Sequence, residues 1–242
     1  NTVVSWLATE GTNLFVDIAG NSLFLSTNDG SNWTQINSGP AGATVYCNAL
    51  CGTVLFAATS DGVFLSTDIG TSWAPVNAGF TGFSSMVASG PNLFAGTPRG
   101  VFLSTNNGTS WIQVNAGLID TIAIGLVVGG MNLLVEVGHL VVIHGELHLV
   151  SGGVFHSTNY GASWTPVDSG LTGFSSMVAS GTNLFAGTPR GVYLSTDNGT
   201  SWSPVNNGLT ITLVSTLGVS GTNLFAGGHW GGFFLSTNNG TN

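Results

Sequence analysis

The chain has 242 residues, of which only 5% are charged; it has no Lys, two Arg (Arg99 and Arg190) and a net charge of -8. A nucleic-acid binder needs a basic footprint to displace counterions, and this composition supplies none; anionic membrane surfaces are poor partners for the same reason. At 43% apolar residues there is material for a core, yet no apolar run reaches the roughly 18 residues that cross a bilayer, so no membrane span is expected. Asn, Ser, Thr and Gly must carry solubility. That suits an exported protein, and the expected location is secreted, extracellular or cell-surface.

From the N-terminus, an inner strand over residues 3–9 carries Trp6, and a loop containing Asp17 follows. The first of six copies of one motif is then Ser26-Thr-Asn-Asp-Gly-Ser-Asn-Trp33. The others start at Ser66, Ser104, Ser157, Ser195 and Ser236, and the last stops at Asn242 before its Trp. Most copies lie 38 to 41 residues apart. Cys47 and Cys51 fall on one predicted strand, about 13 Å apart at 3.3 Å per residue, too far for a disulfide. Residues 81–99 and 172–190 differ only at Pro91 versus Thr182.

Each repeat reads strand, turn, strand, turn, strand, turn, strand. In the copy at 172–209 the predicted strands are 174–180, 184–187, 192–195 and 202–205. They are short, β-branched or aromatic, and bounded by Gly, Asn and Pro, as a meander requires. Four short strands at a period of about 40 mark a propeller blade. The expected fold is all-β: one β-propeller over 1–242, with six four-stranded blades at about 1–40, 41–80, 81–118, 119–171, 172–209 and 210–242. The last blade lacks its outer strand, and a longer chain would allow a seventh.

The motif Ser-x-Asp/Asn-x-Gly-x-Ser/Thr-Trp resembles the BNR or Asp-box repeat of sialidases, xyloglucanases, sortilin-type receptors and photosystem assembly factors. The resemblance covers nearly the whole chain and implies the propeller fold. It leaves function open, because that group spans enzymes, receptors and assembly factors. The box explains itself without a ligand: the Asp or Asn caps the turn, Gly takes the positive φ, and Trp packs on the blade. Asn at positions 28, 106, 159 and 238 fits that capping role.

The family geometry implies that the loops between second and third strands share one face, opposite the boxes. These loops are the least repetitive part of the chain, and variation on one face often marks a binding face. They give the candidate ligand-binding residues: Asp17, Asp61, Arg99, Arg190, and His229 with Trp230; Trp6 joins them from an inner strand. One of these loops, 137–152, is much longer than its counterparts and reads as a hairpin with its tip at His144-Gly145. His139, His144, Glu146 and His148 on it are metal-competent ligand types. They would hold a divalent metal, the only cofactor the sequence suggests. A strand continuous through Gly145 would put His144, Glu146 and His148 on one face, and a turn there would break that parity.

The resulting expectation is a non-catalytic binding propeller whose partner is a glycan or a protein. The alternatives are a glycoside hydrolase of Asp-box type and a self-assembling extracellular component, associating through the last blade or the 137–152 hairpin. Sialidase chemistry needs an Arg cluster, and the two Arg occupy equivalent positions in different blades. A carboxylate-pair mechanism would draw on Asp17, Asp61, Asp120, Glu136 or Glu146, and nothing in the sequence pairs any two of them.

Overall fold

The computed structural model describes residues 4–10, 12–18, 22–37, 39–76, 82–129, 131–144, 146–167, 171, 173–211, 213–220, 223–228, 232–238 and 240. The protein is an all-β propeller of six blade sheets. The first sheet runs β1 (Val4–Glu10), β2 (Asn13–Ile18), β3 (Ser22–Ser26) and β4 (Thr34–Ile36). The second is β5 (Val45–Cys51), β6 (Val54–Thr59), β7 (Gly62–Ser66) and β8 (Ala74–Val76). The third is β9 (Ser85–Ser89), β10 (Asn92–Thr97), β11 (Gly100–Ser104) and β12 (Ile112–Gln113). The fourth is β13 (Ile122–Gly129), β14 (Asn132–Ile143), β15 (Glu146–Ser157) and β16 (Thr165–Pro166). The fifth is β17 (Ser176–Ser180), β18 (Asn183–Thr188), β19 (Gly191–Ser195) and β20 (Ser203–Pro204). The sixth has three strands, β21 (Val214–Ser220), β22 (Asn223–Gly228) and β23 (Phe233–Ser236). In every sheet, strands in chain order are neighbours, the meander expected from short turns. The residues gather into two compact units, 1–98 with 102–113, and 99–101 with 114–242.

In the fifth sheet the strands differ from expectation at their ends. The first starts at Ser176, and the fourth is only Ser203–Pro204. Pro204 has no N–H to extend the ladder, and pairing ends with Val205 N donating to Val192 O at 2.9 Å. Trp202 therefore sits just outside the strand, free to turn into the sheet.

Packing within each unit is sheet on sheet. In the first unit Phe56, Ala58 and Val63 meet Met86, Leu93 and Ala95 of the next sheet. In the second, Leu134 and Val154 meet Met177, Leu184 and Ala186, with Trp202 among them. Phe185 and Val192 then meet Val214, Leu217, Leu224 and Ala226. Phe56, Phe94 and Phe185, at one repeat position in three sheets, are fully buried. Each such side chain stabilises by about 1.5–3 kcal/mol.

The box turns share one hydrogen-bond pattern. Ser195 Oγ is buried, accepts from Gly199 N at 2.8 Å and donates to Asp197 Oδ1 at 2.8 Å. Asp197 in turn accepts from Ser201 N at 2.9 Å and from Ser201 Oγ at 2.5 Å. Asn106 accepts likewise from Ser110 N at 2.9 Å, but its amide donates to Ser110 Oγ at 2.9 Å. The same hydroxyl is thus a donor opposite a carboxylate and an acceptor opposite an amide, which is why Asp and Asn interchange here.

These bonds favour the ionised carboxylate. The Ser72 hydroxyl and backbone N–H and the Ser66 hydroxyl draw Asp68 down to about 2, and Ser201 with Ser195 does the same to Asp197. A depressed folded-state pKa gives stability that is present above the unfolded carboxyl value of about 3.9 and is lost as pH falls towards about 2. Asp68→Asn combined with Asp197→Asn should therefore flatten the fall in Tm between about pH 4 and pH 2. Thermal melts across that range check this; an unchanged slope would refute the assignment.

Candidate functional site

In the first unit, Trp6 pairs with Asp17 across β1 and β2. Trp6 packs against the buried cluster of Phe15, Leu23 and Leu55, so its ring is part of the blade packing. Asp17 Oδ2 accepts from Asn48 Nδ2 of the neighbouring inner strand at 3.2 Å. Asp61 is exposed at the tip of the β6–β7 turn, where its carboxylate accepts from Ser60 Oγ at 3.0 Å and its N–H bonds Thr59 Oγ1 at 3.1 Å. Cys47 and Cys51 are free, and burial pushes the Cys47 thiol up to about 12, leaving it without nucleophilic character near neutral pH.

Arg99 and Arg190 occupy equivalent exposed turns. Each turn is gripped by one Asn. Asn206 accepts from Val192 N at 2.7 Å and donates to Arg190 O at 3.2 Å, and Asn115 does the same for Val101 and Arg99 at 2.8 and 3.0 Å. The side chain of Asn206 lies where a Cβ on Gly191 would stand. The backbone of each Pro-Arg-Gly turn is therefore fixed by an Asn from the following strand connection. His229 and Trp230 lie outside the described residues.

The long loop is the predicted hairpin. β14 and β15 pair without interruption from Leu140↔Leu149 to Ile143↔Glu146, and His144 turns the tip at φ 53°. This two-residue turn takes His144 out of the ladder. Glu146 and His148 instead share a face with His139, since His139 opposes Val150 and Val141 opposes His148. Among the described residues, no three His, Cys, Asp or Glu come together in a metal-binding group.

The structure does bring together residues that the sequence left apart. At the hairpin base the register slips between Val137 and Gly138, so that Val137 faces Gly153 and Gly138 faces Ser151. The extra residue, Gly152, is a β-bulge. The Asp120 carboxylate occupies the position a Cβ of residue 152 would take, so a side chain there would displace it. Asp120 Oδ2 meets His139 Nδ1 at 3.1 Å, with the side chains 21% and 48% exposed.

Beside this bulge lies a cavity of about 590 Å³, lined by Glu136, Ser151, Gly152, Gly153, Val154, Leu171 and Gly173. Glu136 Oε2 is 3.6 Å, and Pro189 Cδ 4.0 Å, from the point a Cβ of Gly173 would reach. The cavity thus lies at the base of the long hairpin, and Gly173 on its wall approaches Pro189 of the following blade. Its one lining carboxylate is Glu136, and backbone at the bulge supplies further polar groups. The sequence held one clue: acidic residues 120 and 136 precede the one loop that breaks the period.

Half-buried His156 stands on β15, where the other sheets have Leu25, Leu65, Leu103, Leu194 and Leu235. Its Nδ1 has no hydrogen-bond partner, and burial lowers its pKa, opposed by Asn198 and Asp197. It packs against the fifth box and plays no part in the cavity.

Residues 193–204 match the family model described as BNR/Asp-box repeat. No curated protein matches the chain by sequence. Among solved structures, the chain is similar to the GH74 xyloglucanase from Xanthomonas campestris, with a TM-score of 0.65 and 16% identity over 96% of this chain and 44% of that one. It is also similar to YCF48 bound to D1 peptide, with a TM-score of 0.69 and 13% identity over 99% of this chain and 79% of that one. The extracellular domain of a putative one-component system from B. thetaiotaomicron aligns at a TM-score of 0.56 and 15% identity, over 97% of this chain and 38% of that one. The chain thus spans less than half of the xyloglucanase, and at these identities the likeness speaks for fold. The chain is thus a β-propeller of six blade sheets, whose fifth box lies within the segment that matches the BNR/Asp-box model and whose other boxes repeat its turn geometry.

Proposed function

We propose that the protein is a non-catalytic binding propeller of the extracellular space or cell surface, and that its ligand is a neutral glycan held in the cavity beside Glu136. The observation that carries this reading is the composition of the cavity: one carboxylate, a serine and a glycine bulge surround a space of about 590 Å³. A carboxylate accepts two sugar hydroxyls at once, and a glycine wall lets a ring approach the backbone closely. Arg190, on the exposed turn that follows Pro189, is the candidate donor to further hydroxyls. Trp230 with His229 is the candidate for ring stacking.

The molecule's solved neighbours include both a glycoside hydrolase and a peptide-bound protein. Hydrolysis of a glycoside takes two carboxylates flanking the bond. Here Glu136 is the one carboxylate among the described lining residues, while Asp120 is engaged by His139. That arrangement favours holding a sugar over cleaving it. A protein partner would use the same loop face.

The test is calorimetric titration with neutral oligosaccharides chosen from a glycan array. Glu136→Gln keeps the shape and removes the charge; it should weaken binding by about tenfold, equivalent to one charge-assisted hydrogen bond. Trp230→Ala in the same assay examines the stacking contribution. A blank array would refute the glycan reading, and turnover of the bound sugar that is lost in Glu136→Gln and Asp120→Asn would establish the hydrolase instead.

A further inference from the structure

The hairpin beyond the bulge has an apolar face that no other described residue covers. β13 pairs with β14 only as far as Gly138, and β16 pairs with β15 only at Phe155 and His156. Between residues 139 and 150 the hairpin is therefore two-stranded among the described residues. Its two faces differ. One carries His139, Glu146 and His148 with Val141 and Val150. The other carries Leu140 opposite Leu149 and Val142 opposite Leu147, exposed by 54%, 50%, 67% and 69% respectively. A two-stranded hairpin is marginal in water unless a third strand or a packed face supports it.

We propose that this face is the interface of a homodimer, in which two hairpins related by a two-fold axis stack their Leu and Val rows against each other. The four side chains expose roughly 450 Å² on each copy, the size of the largest, often functional, patch on a monomer. Two copies stacked on this face would bury about 900 Å² from these residues alone, close to the roughly 1,000 Å² of a specific interface. The face bears no charge, so two copies meet without unpaired ions. It is also self-complementary, because the Leu140–Leu149 and Val142–Leu147 pairs form a compact two-by-two patch that a two-fold axis maps onto itself. Stacked at about 10 Å, the four strands make a small sandwich. A lipid surface is a poorer occupant. The chain has no Lys, its two Arg lie on other turns and its net charge is -8, so anionic headgroups repel it. This inference is independent of the glycan reading, whose cavity lies at the hairpin base.

The experiment is sedimentation velocity with light scattering on the full chain over a wide concentration range. A reversible dimer is expected. Leu140→Ser with Leu147→Ser should raise its dissociation constant at least about 100-fold, since both anchors sit at the centre of the patch. His148→Ser on the opposite face should leave it unchanged. Both variants alter exposed residues, and matching Tm values would show that they fold. As a second readout, Val142→Cys should form a disulfide-linked dimer under oxidation and His148→Cys should not. A strictly monomeric protein, a dimer indifferent to Leu140 and Leu147, or binding to neutral lipid vesicles without dimerisation would each overturn the proposal.

Discussion

Trp202→Ala should destabilise the protein by about 3–5 kcal/mol, whereas Trp33→Ala, at the same position of the repeat, should cost less than about 1 kcal/mol. Trp202 is 5% exposed and Trp33 is 42% exposed. The Trp202 ring fills a space bounded by Val154, Leu171, Met177 and Leu184, drawn from two adjacent sheets. Its Nε1 donates to Gly199 O at 3.0 Å and so ties the ring to its own box. Removing the ring opens a cavity that the neighbouring strands resist collapsing into, because each is held in its sheet's ladder. Trp164, 3% exposed, belongs with Trp202; its Nε1 reaches Val114 O at 2.7 Å, fifty residues earlier in the chain. Chemical denaturation of the two variants side by side checks the contrast. Equal losses would mean that the box Trp acts through its turn and not through the space between sheets.

Gly191→Ala should cost about 3 kcal/mol, an unusual penalty for adding one methyl group on a surface turn. Gly191 has φ 111°, a backbone conformation that L-residues rarely adopt. A Cβ there would also overlap the Asn206 carboxamide. That carboxamide cannot move away without breaking its bonds to Val192 N and Arg190 O. Strain and two lost hydrogen bonds therefore add. Gly90→Ala is the control: its φ is 56°, but nothing stands within 4 Å of the added methyl, so only the backbone penalty of about 1 kcal/mol remains. Thermal or urea unfolding of both variants distinguishes them, and similar losses would refute the role assigned to Asn206. The prediction bears on the candidate site as well, because the same Asn206 grip fixes the backbone of the exposed Arg190 turn.

The repeat was legible because its physics is local. The serine, the Asp or Asn and the glycine of each box bond within five residues, so the turn forms wherever that spelling occurs. Alternation and turn residues then set four strands per unit, and the hairpin tip at His144 followed from a Gly placed between two apolar runs. The contrast between Trp33 and Trp202 was not legible, since both read Ser/Asn-Trp after a glycine. What separates them is whether another sheet packs over the ring.

The candidate site divides in the same way. Arg99 and Arg190 were expected on equivalent turns and are there, because the turns are built by neighbouring residues. The grouping of Glu136 with Ser151, Gly152 and Gly173, and of Asp120 with His139, depends on a one-residue slip in strand register at Gly152. Such a slip carries no periodic signal, since it is an interruption of the period. It becomes specific only when the two long strands pair and a carboxylate from outside the hairpin takes the space that a side chain would fill. The sequence by itself thus determined the blades, their turns and the dearth of cations that sets nucleic acid aside. Only tertiary structure decided which acids meet, which tryptophans are buried and which hairpin face is left uncovered, because each of these is a property of surfaces contributed by segments far apart along the chain.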